Sequence, residues 1–239
     1  MKLPIVLFLL ILRLNAQDYS FAAVSNSYSQ HNHFNKFEWT INFSDLINPF
    51  SHQFGELTYP TGIVRIQLVN ILSYESNDHL KYSLGYHYQR NLTYDSKRTS
   101  EYRPFQQIEY RHKLRPFNVI HMLRINERYV ENKTEHTYPL SINLQLKTSL
   151  NYKLKTFQTN HSELYLTAYS EEYFSLCGPL RYQLLTEYWT FLGSGYQWNN
   201  WIKLELGMGY EFLVRNSNKD IRTMIYPVVN VVSNFNWIN

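Results

Sequence analysis

The sequence predicts an all-β fold, a closed antiparallel transmembrane β-barrel of about 10–12 strands. The prediction rests on three features of the sequence. Apolar and polar residues separate with a period of two over unusually long segments, aromatics gather at the ends of the apolar faces, and no second long apolar run follows the N-terminus.

Side chains on a strand alternate between faces, so odd and even positions separate its two surfaces. From Leu140 to Leu154 one face reads Leu140, Ile142, Leu144, Leu146, Thr148, Leu150, Tyr152 and Leu154. The other reads Ser141, Asn143, Gln145, Lys147, Ser149, Asn151 and Lys153. This run is about twice as long as the usual 5–6-residue globular strand. The segment Ile202–Phe212 repeats the pattern, with Lys203, Glu205, Gly207, Gly209 and Glu211 on its polar face. Leu80–Gln89 and the C-terminal stretch from Val229 to Trp237 do the same.

A soluble sandwich also alternates, but with its apolar face inward. Here the polar faces mix Lys, Glu, Arg, Asn and Gln with glycine, as a narrow wet lumen requires, and the apolar faces end in Tyr, Trp and Phe. Those amphipathic side chains suit a membrane interface, and 21 tyrosines are more than a soluble core needs. In lipid only a closed barrel leaves no strand edge unpaired. A soluble barrel with its apolar faces inward, around an apolar ligand, is the alternative. The chain ends in an aromatic-rich strand with Phe235, Trp237 and Ile238.

Ten strands follow from the pattern, near 34–43, 62–73, 79–90, 100–113, 117–130, 138–154, 162–173, 180–192, 199–213 and 221–237. Short links near Glu75–Asp78, Leu114–Pro116 and Trp198–Asn200 alternate with longer ones at Asp45–Pro60, Asn91–Thr99, Glu131–Thr137 and Asn216–Asp220. Short turns on one rim and longer loops on the other are the rule for such barrels. Tyr19–Ser29 reads as one further strand, although even counts are the expectation for bacterial single-chain barrels.

The first residues read as an address. Lys2 precedes an apolar core from Pro4 to Leu12, and Asn15-Ala16 before Gln17 offers a cleavage point. The expected organisation is therefore a signal peptide over 1–16 and a barrel over 17–239, exported to a bacterial outer membrane. No other apolar run approaches the roughly 20 residues of a membrane helix. A net charge of +4 without a basic run argues against nucleic acid as a partner. The single cysteine, Cys177, excludes an internal disulfide and a thiolate zinc cluster. No cofactor and no metal are expected. The expected partners are outer-membrane lipid and other outer-membrane proteins.

Two neighbouring strands carry a family resemblance. Glu101-Tyr-Arg103-Pro-Phe105-Gln106-Gln107-Ile-Glu-Tyr110 is followed by His121-Met-Leu-Arg124-Ile-Asn126-Glu127-Arg128-Tyr129. The pair resembles the E-x-R-x-W-Q-Q and H-R-x-R-x-E-x-R strands of domain-of-unknown-function family 2490, outer-membrane barrels common in Bacteroidetes-type bacteria. The likeness extends through Tyr169-Ser170-Glu171 and Gly193-Ser-Gly195-Tyr196. This chain departs from the pattern at Phe105, where tryptophan is usual, at Met122, where arginine is usual, and at Asn126, where glutamate is usual. Part of the family's lumen charge network is thus missing. The resemblance implies no activity.

Parity places Glu101, Arg103, Gln107, Glu109 and Arg111 on one interior face, with Arg124, Asn126 and Arg128 on the hairpin partner. Glu171, Lys203, Glu205 and Glu211 join them from later strands. Their expected role is a structural ladder of paired charges, since an unpaired buried charge is costly. A polar path or ligand site is the alternative, and a narrow barrel filled with long side chains is more plug than pore. Lipid-modifying chemistry would need Ser, His and an acid in register. His121, His136, His161, Ser141, Ser162 and Glu163 are available, but no nucleophile elbow is present, so no enzyme is expected. His31, His33 and His52 are weak candidates for a loop metal site. The loop Asp45–Pro60, with Pro49, Phe50, Phe54 and Tyr59, is the candidate surface for docking a partner.

Overall fold

The computed structural model describes residues 18–54, 57–59, 61–92, 98–157, 162–179, 183–199, 201–214 and 221–236. The expected signal peptide and the terminal Trp237 and Ile238 lie outside these residues. The alternating segments become long strands. These are β1 (Asp18–Ala22), β2 (Val24–Phe34), β3 (Phe37–Asn48), β4 (His52–Phe54), β5 (Leu57–Tyr59), β6 (Gly62–Glu75) and β7 (Leu80–Leu92). They continue with β8 (Arg98–Leu114), β9 (Phe117–Val130), β10 (Leu140–Phe157), β11 (Ser162–Cys177), β12 (Leu185–Trp198), β13 (Ile202–Val214) and β14 (Ile221–Asn236).

Each long strand pairs antiparallel with the next, in the order β2, β3, β6, β7 and onward to β14. β14 then returns to β2, and this pairing is parallel. β1 extends the seam in the same register, Ala22 beside Ile225 and Ser25 beside Val228, so β1 and β2 act as one stave interrupted at Ala23. Among the described residues the ring thus has 11 staves. An up-and-down meander reverses direction at each turn, so an odd count forces its first and last strands to run the same way. The barrel is mixed for that reason alone, and the expectation of an even count does not hold. β4 and β5 form a separate hairpin within the longest loop.

The expected strand over 34–43 is the second correction. The chain turns at Asn35–Lys36, and Asn35 adopts a φ of 58°, a left-handed conformation that asparagine tolerates better than most residues. The segment around Tyr19–Ser29 is therefore a true stave ending at Phe34, and β3 starts afresh at Phe37. The turn joins the links at 76–79, 115–116 and 199–201 on one rim. The opposite rim carries the longer connections, including 131–139, where Asn132 pairs with Thr137 and its side chain accepts from the Thr134 and Glu135 amides. The Lys133 ammonium, 2.6 Å away, and the Ser100 amide hold the Glu131 carboxyl below the usual carboxylate range. β2 and β14 both run from the long-loop rim to the short-turn rim, so the first and last staves finish together at the short turns.

Burial follows the alternation and fixes its sense. Leu84 is 63% exposed, Leu192 67% and Leu206 51%, whereas Glu101 is 2% exposed and Glu211 1%. Apolar side chains face outward and charged ones inward, so the soluble alternative with an apolar interior is not the fold adopted. On the outer wall aromatics collect towards both rims. Tyr86, Tyr88, Tyr102 and Tyr138 pack ring against tilted ring near the long loops. Phe37 with Tyr74, Phe117 with Tyr152, and Tyr196 with Trp198 lie near the short turns. On β8 the girdle residues Tyr102 and Tyr110 enclose an aliphatic band roughly 20 Å tall, taking about 3.3 Å per residue and a barrel tilt of about 40°.

The interior is not wholly polar. Ala23, Leu46, Phe191, Met224, Tyr226 and Val228 form a small apolar cluster inside the seam wall. Inward glycines meet inward aromatics on adjacent positions: the Phe105 ring covers Gly85, Tyr165 covers Gly195, and Phe191 covers Gly193 and Gly207. A Cβ at these sites would enter the ring, so the pairing lets rings lie flat on the wall. Phe191→Ala should therefore destabilise the folded barrel by about 3–5 kcal/mol. The measurement is the midpoint of chemical unfolding. Leu192→Ala, one residue along but outward, should cost much less.

Candidate functional site

The sequence positions of the inward charges decide where they meet. Arg65 and Arg222 lie near the starts of β6 and β14, Glu101 and Glu187 near the starts of β8 and β12, and Arg128 and Glu211 near the ends of β9 and β13. All six therefore fall at the long-loop half of the lumen. Glu101 lies at the centre of one group. Its carboxylate accepts from Arg103, through the Nε and through Nη2 at 2.9 Å, and from Arg128, through Nε at 2.5 Å and Nη2 at 3.2 Å. Arg128 Nη1 also donates to Glu187 at 2.8 Å, which ties β9 to β12. Gln89 accepts from Arg103 at 3.2 Å.

The second group crosses the lumen. Arg65 Nη1 lies 2.9 Å from Glu211 Oε2, and Arg222 Nη2 donates to Glu211 Oε1 at 2.8 Å. The Arg65 guanidinium also stands 4.7 Å from the centre of the Trp189 ring. From β6 to β12 is five steps round the ring by the shorter way, the greatest separation that 11 staves allow. One side chain thus reaches the opposite wall. Cation–π contact adds to ion pairing where water is excluded.

Below this layer, Glu171 accepts from Lys147 at 2.6 Å, Gln145 at 2.9 Å and Tyr173 at 2.9 Å. Lys147 also lies 4.0 Å above the Tyr169 ring. Glu205 accepts from Tyr165 at 2.9 Å and Asn230 at 3.2 Å. Towards the short turns, Glu38 accepts from Lys81 at 2.9 Å and Thr40 at 2.9 Å, with His31 Nδ1 at 3.3 Å and His33 Nδ1 at 3.6 Å. Glu109 joins Lys81 at 3.9 Å and Arg111 at 3.4 Å, and Arg111 reaches Glu75 at 3.2 Å.

All 12 of the residues singled out from the sequence lie on inward faces. Glu101, Arg103, Arg128, Glu171 and Glu211 enter ion pairs, as do Glu109 and Arg111 near the rim. Gln107 accepts from Arg124, and Asn126 donates to Gln145 at 3.4 Å. Glu205 is held by neutral donors. Lys203, half-exposed on β13, enters none of the ion pairs among the described residues. Sequence reasoning placed Lys147 and Lys81 on polar faces without singling them out for the charge network, and missed Arg65, Arg222, Glu187 and Glu38. β6 reads Ile-Val-Arg-Ile-Gln-Leu-Val-Asn-Ile-Leu, apolar on both faces, which hides Arg65. Glu187 shares parity with Gly193 and Gly195, and lumen glycines were the signal that could have found it.

The residues considered for other chemistry do not come together. His121 is outward and bonds Thr148 at 3.1 Å, whereas Ser141 is buried on the inward face. Ser162 is buried at the short-turn end, Glu163 pairs with Lys153, and His161 lies outside the described residues. His31 and His33 are not in a loop. They lie on β2 near the short turns, at the opposite end from the loop that contains His52. Among the described residues no group of three or more His, Cys, Asp or Glu is placed to hold a metal ion. No helix is long and apolar enough to cross a membrane, which says nothing of strands.

A protein-family model, described as "Protein of unknown function (DUF2490)", matches residues 26–222. No curated protein and no solved structure matches the chain.

Removing one member of a buried pair leaves its partner uncompensated. Glu101→Gln should therefore cost about 3–5 kcal/mol, because two guanidinium groups lose their counter-charge. Glu75→Gln, at the half-exposed rim pair with Arg111, should cost no more than about 1 kcal/mol. Chemical unfolding of the two variants side by side checks the contrast.

Proposed function

The chain belongs to the DUF2490 family, and on that footing we propose that it is an integral outer-membrane barrel with a plugged, mixed-charge lumen. The observation that carries the reading is the inverted wall. Leaving a Leu, Ile or Phe in water rather than burying it forgoes roughly 1.5–3 kcal/mol each. An apolar belt around the whole circumference far exceeds the few hundred Å² that soluble monomers expose. The belt's estimated height and its two aromatic girdles suit the hydrocarbon of an outer membrane and its interfaces. The same wall makes surrounding lipid the principal partner.

The lumen supports a structural role over free conduction. Arg65 reaches across to Glu211 and Trp189 at one level, and Arg128 ties β9 to Glu187 on β12 at nearly the same level. A solute would have to part those pairs. A narrow channel is the second reading, favoured by the concentration of charged side chains at successive levels of the lumen. The separated His, Ser and acid residues give no support to acyl transfer, and we assign the barrel no catalysis.

Membrane fractionation with boiled and unboiled samples compared on a gel tests the location. Outer-membrane recovery with a heat-dependent mobility shift is the expected result, and recovery in the soluble periplasm would sink the reading. In planar bilayers the purified protein should show no steady open conductance, while Arg65→Ala should add conductance events. Steady conductance of the unaltered protein would replace the plug by the channel.

A further inference from the structure

Almost every inward cation at depth has a carboxylate, and Arg124 does not. Its Nε and Nη2 both donate to the neutral Gln107 Oε1, at 2.8 Å and 2.5 Å. Its guanidinium lies 3.9 Å over the Phe105 ring, which itself lies across Gly85. Asn126, the next inward residue on β9, bonds Gln145 and supplies no charge. Among the described residues Arg124 forms no ion pair; Glu171 and Glu109 act on it only from beyond salt-bridge distance, Glu109 through the Gln107 amide at 2.6 Å, so no carboxylate is in contact with the guanidinium. Such a group favours any anion that can reach it.

A second observation falls beside the first. Gly85 is followed on the inward face by His87, which is 6% exposed, and its buried Nε2 has no hydrogen-bond partner. A ring nitrogen left so is a donor or acceptor awaiting a partner. Register alone sets Arg124 level with Gln107 and Ser83, two inward positions below His87, and the stack on Phe105 carries its guanidinium one position nearer. Gly85 is opposite Phe105, His87 is opposite Arg103, and Gln107 is opposite Arg124. Arg124, stacked on the ring that covers Gly85, therefore reaches the stretch of wall directly below His87. Arg124 also keeps partial exposure, whereas Arg103, Gln107 and Asn126 are buried.

We propose that the lumen binds one small inorganic anion between Arg124 and His87, with the imidazole carrying its proton on Nε2. The free Nη1 of Arg124 donates from one side and His87 from the other. Arg103 faces the same space but is neutralised by Glu101, so it sets the local field without claiming the anion. This site does not depend on where the barrel resides.

The test uses chloride as the probe, read by the broadening of its NMR line as it exchanges with the folded full-length barrel. Saturable broadening that inorganic phosphate displaces is the expected result. Arg124→Gln should weaken it by roughly tenfold or more, as loss of the principal charge requires. Asn126→Glu, which offers Arg124 a carboxylate of its own, should do the same without removing the guanidinium. His87→Leu should weaken it, and Lys153→Gln at the rim should leave it unchanged. The gel mobility shift reports folding of each variant. Absence of saturable broadening, or broadening untouched by both Arg124→Gln and Asn126→Glu, overturns the proposal.

Discussion

The structure depends on the parallel seam that joins β14 to β1 and β2. Ten antiparallel hairpin contacts can be made one after another from local turns, but they leave two open edges with unpaired backbone. The seam removes both. It brings together residues about 200 positions apart, Ser27 and Asn230 among them, whose side chains bond at 2.5 Å. Once it forms, every inward face of the meander is confined to one enclosed space. The charges are then close because the ring is closed, and their pairing in turn stiffens the ring. Parallel pairing is slightly weaker per residue than antiparallel. The added length of β1 and the apolar cluster behind the seam offset that weakness.

Closure sets two packing problems that the sequence solves differently at different heights. In the seam and neighbouring walls, glycines accept rings from adjacent positions, so bulky side chains lie along the wall instead of projecting. At the long-loop half, long cations project and find carboxylates across the lumen. Trp189 belongs to both arrangements, since its ring packs at a tilt against Tyr173, 5.4 Å between centres, and lies under Arg65. Flat rings leave width, and guanidinium groups use it. A barrel filled with aliphatic side chains would need no such pairing, but its two faces would then be alike and nothing would specify which one turns outward.

How much of this was legible in the sequence varies from strand to strand. β10 could be read nearly residue by residue, because Leu140 to Leu154 alternates without interruption. The inward face of β8 and β9 was equally plain, and it carries Glu101, Arg103 and Arg128. β6 was opaque, since Val69 and Ile71 face inward among polar neighbours and blur its period, and Arg65 went unnoticed with it. The turn at Asn35 was hidden for another reason. Phe37, Trp39, Ile41 and Phe43 alternate with Lys36, Glu38, Thr40 and Asn42, so the strand reads back into the turn, and only the asparagine and the out-of-phase Phe34 mark the break. Pairings across the lumen were not legible at all. That Arg128 meets Glu187, 59 residues away, follows from strand count and closure, and no local pattern contains either.

The same reasoning explains why one substitution in a charged lumen matters more than its chemistry suggests. In open water, exchanging a carboxylate for an amide changes little around a neighbouring arginine, because solvent screens the difference. Inside a ring of strands the screen is thin, and each inward charge is compensated by a small number of reachable neighbours. Asn126 stands between two such cations, Arg124 and Arg128, on one inward face. Arg128 reaches Glu101 and Glu187 instead, because both approach from the long-loop side. Arg124 sits lower, where Gln107 and the Phe105 ring are the groups that touch it, and both are neutral. The amide at Asn126 thus divides the lumen into a layer where cations touch carboxylates and a level where one cation has no carboxylate in contact. In a closed barrel that difference is electrostatic capacity at a definite height, set by one residue of β9 and by the register that aligns it with β8.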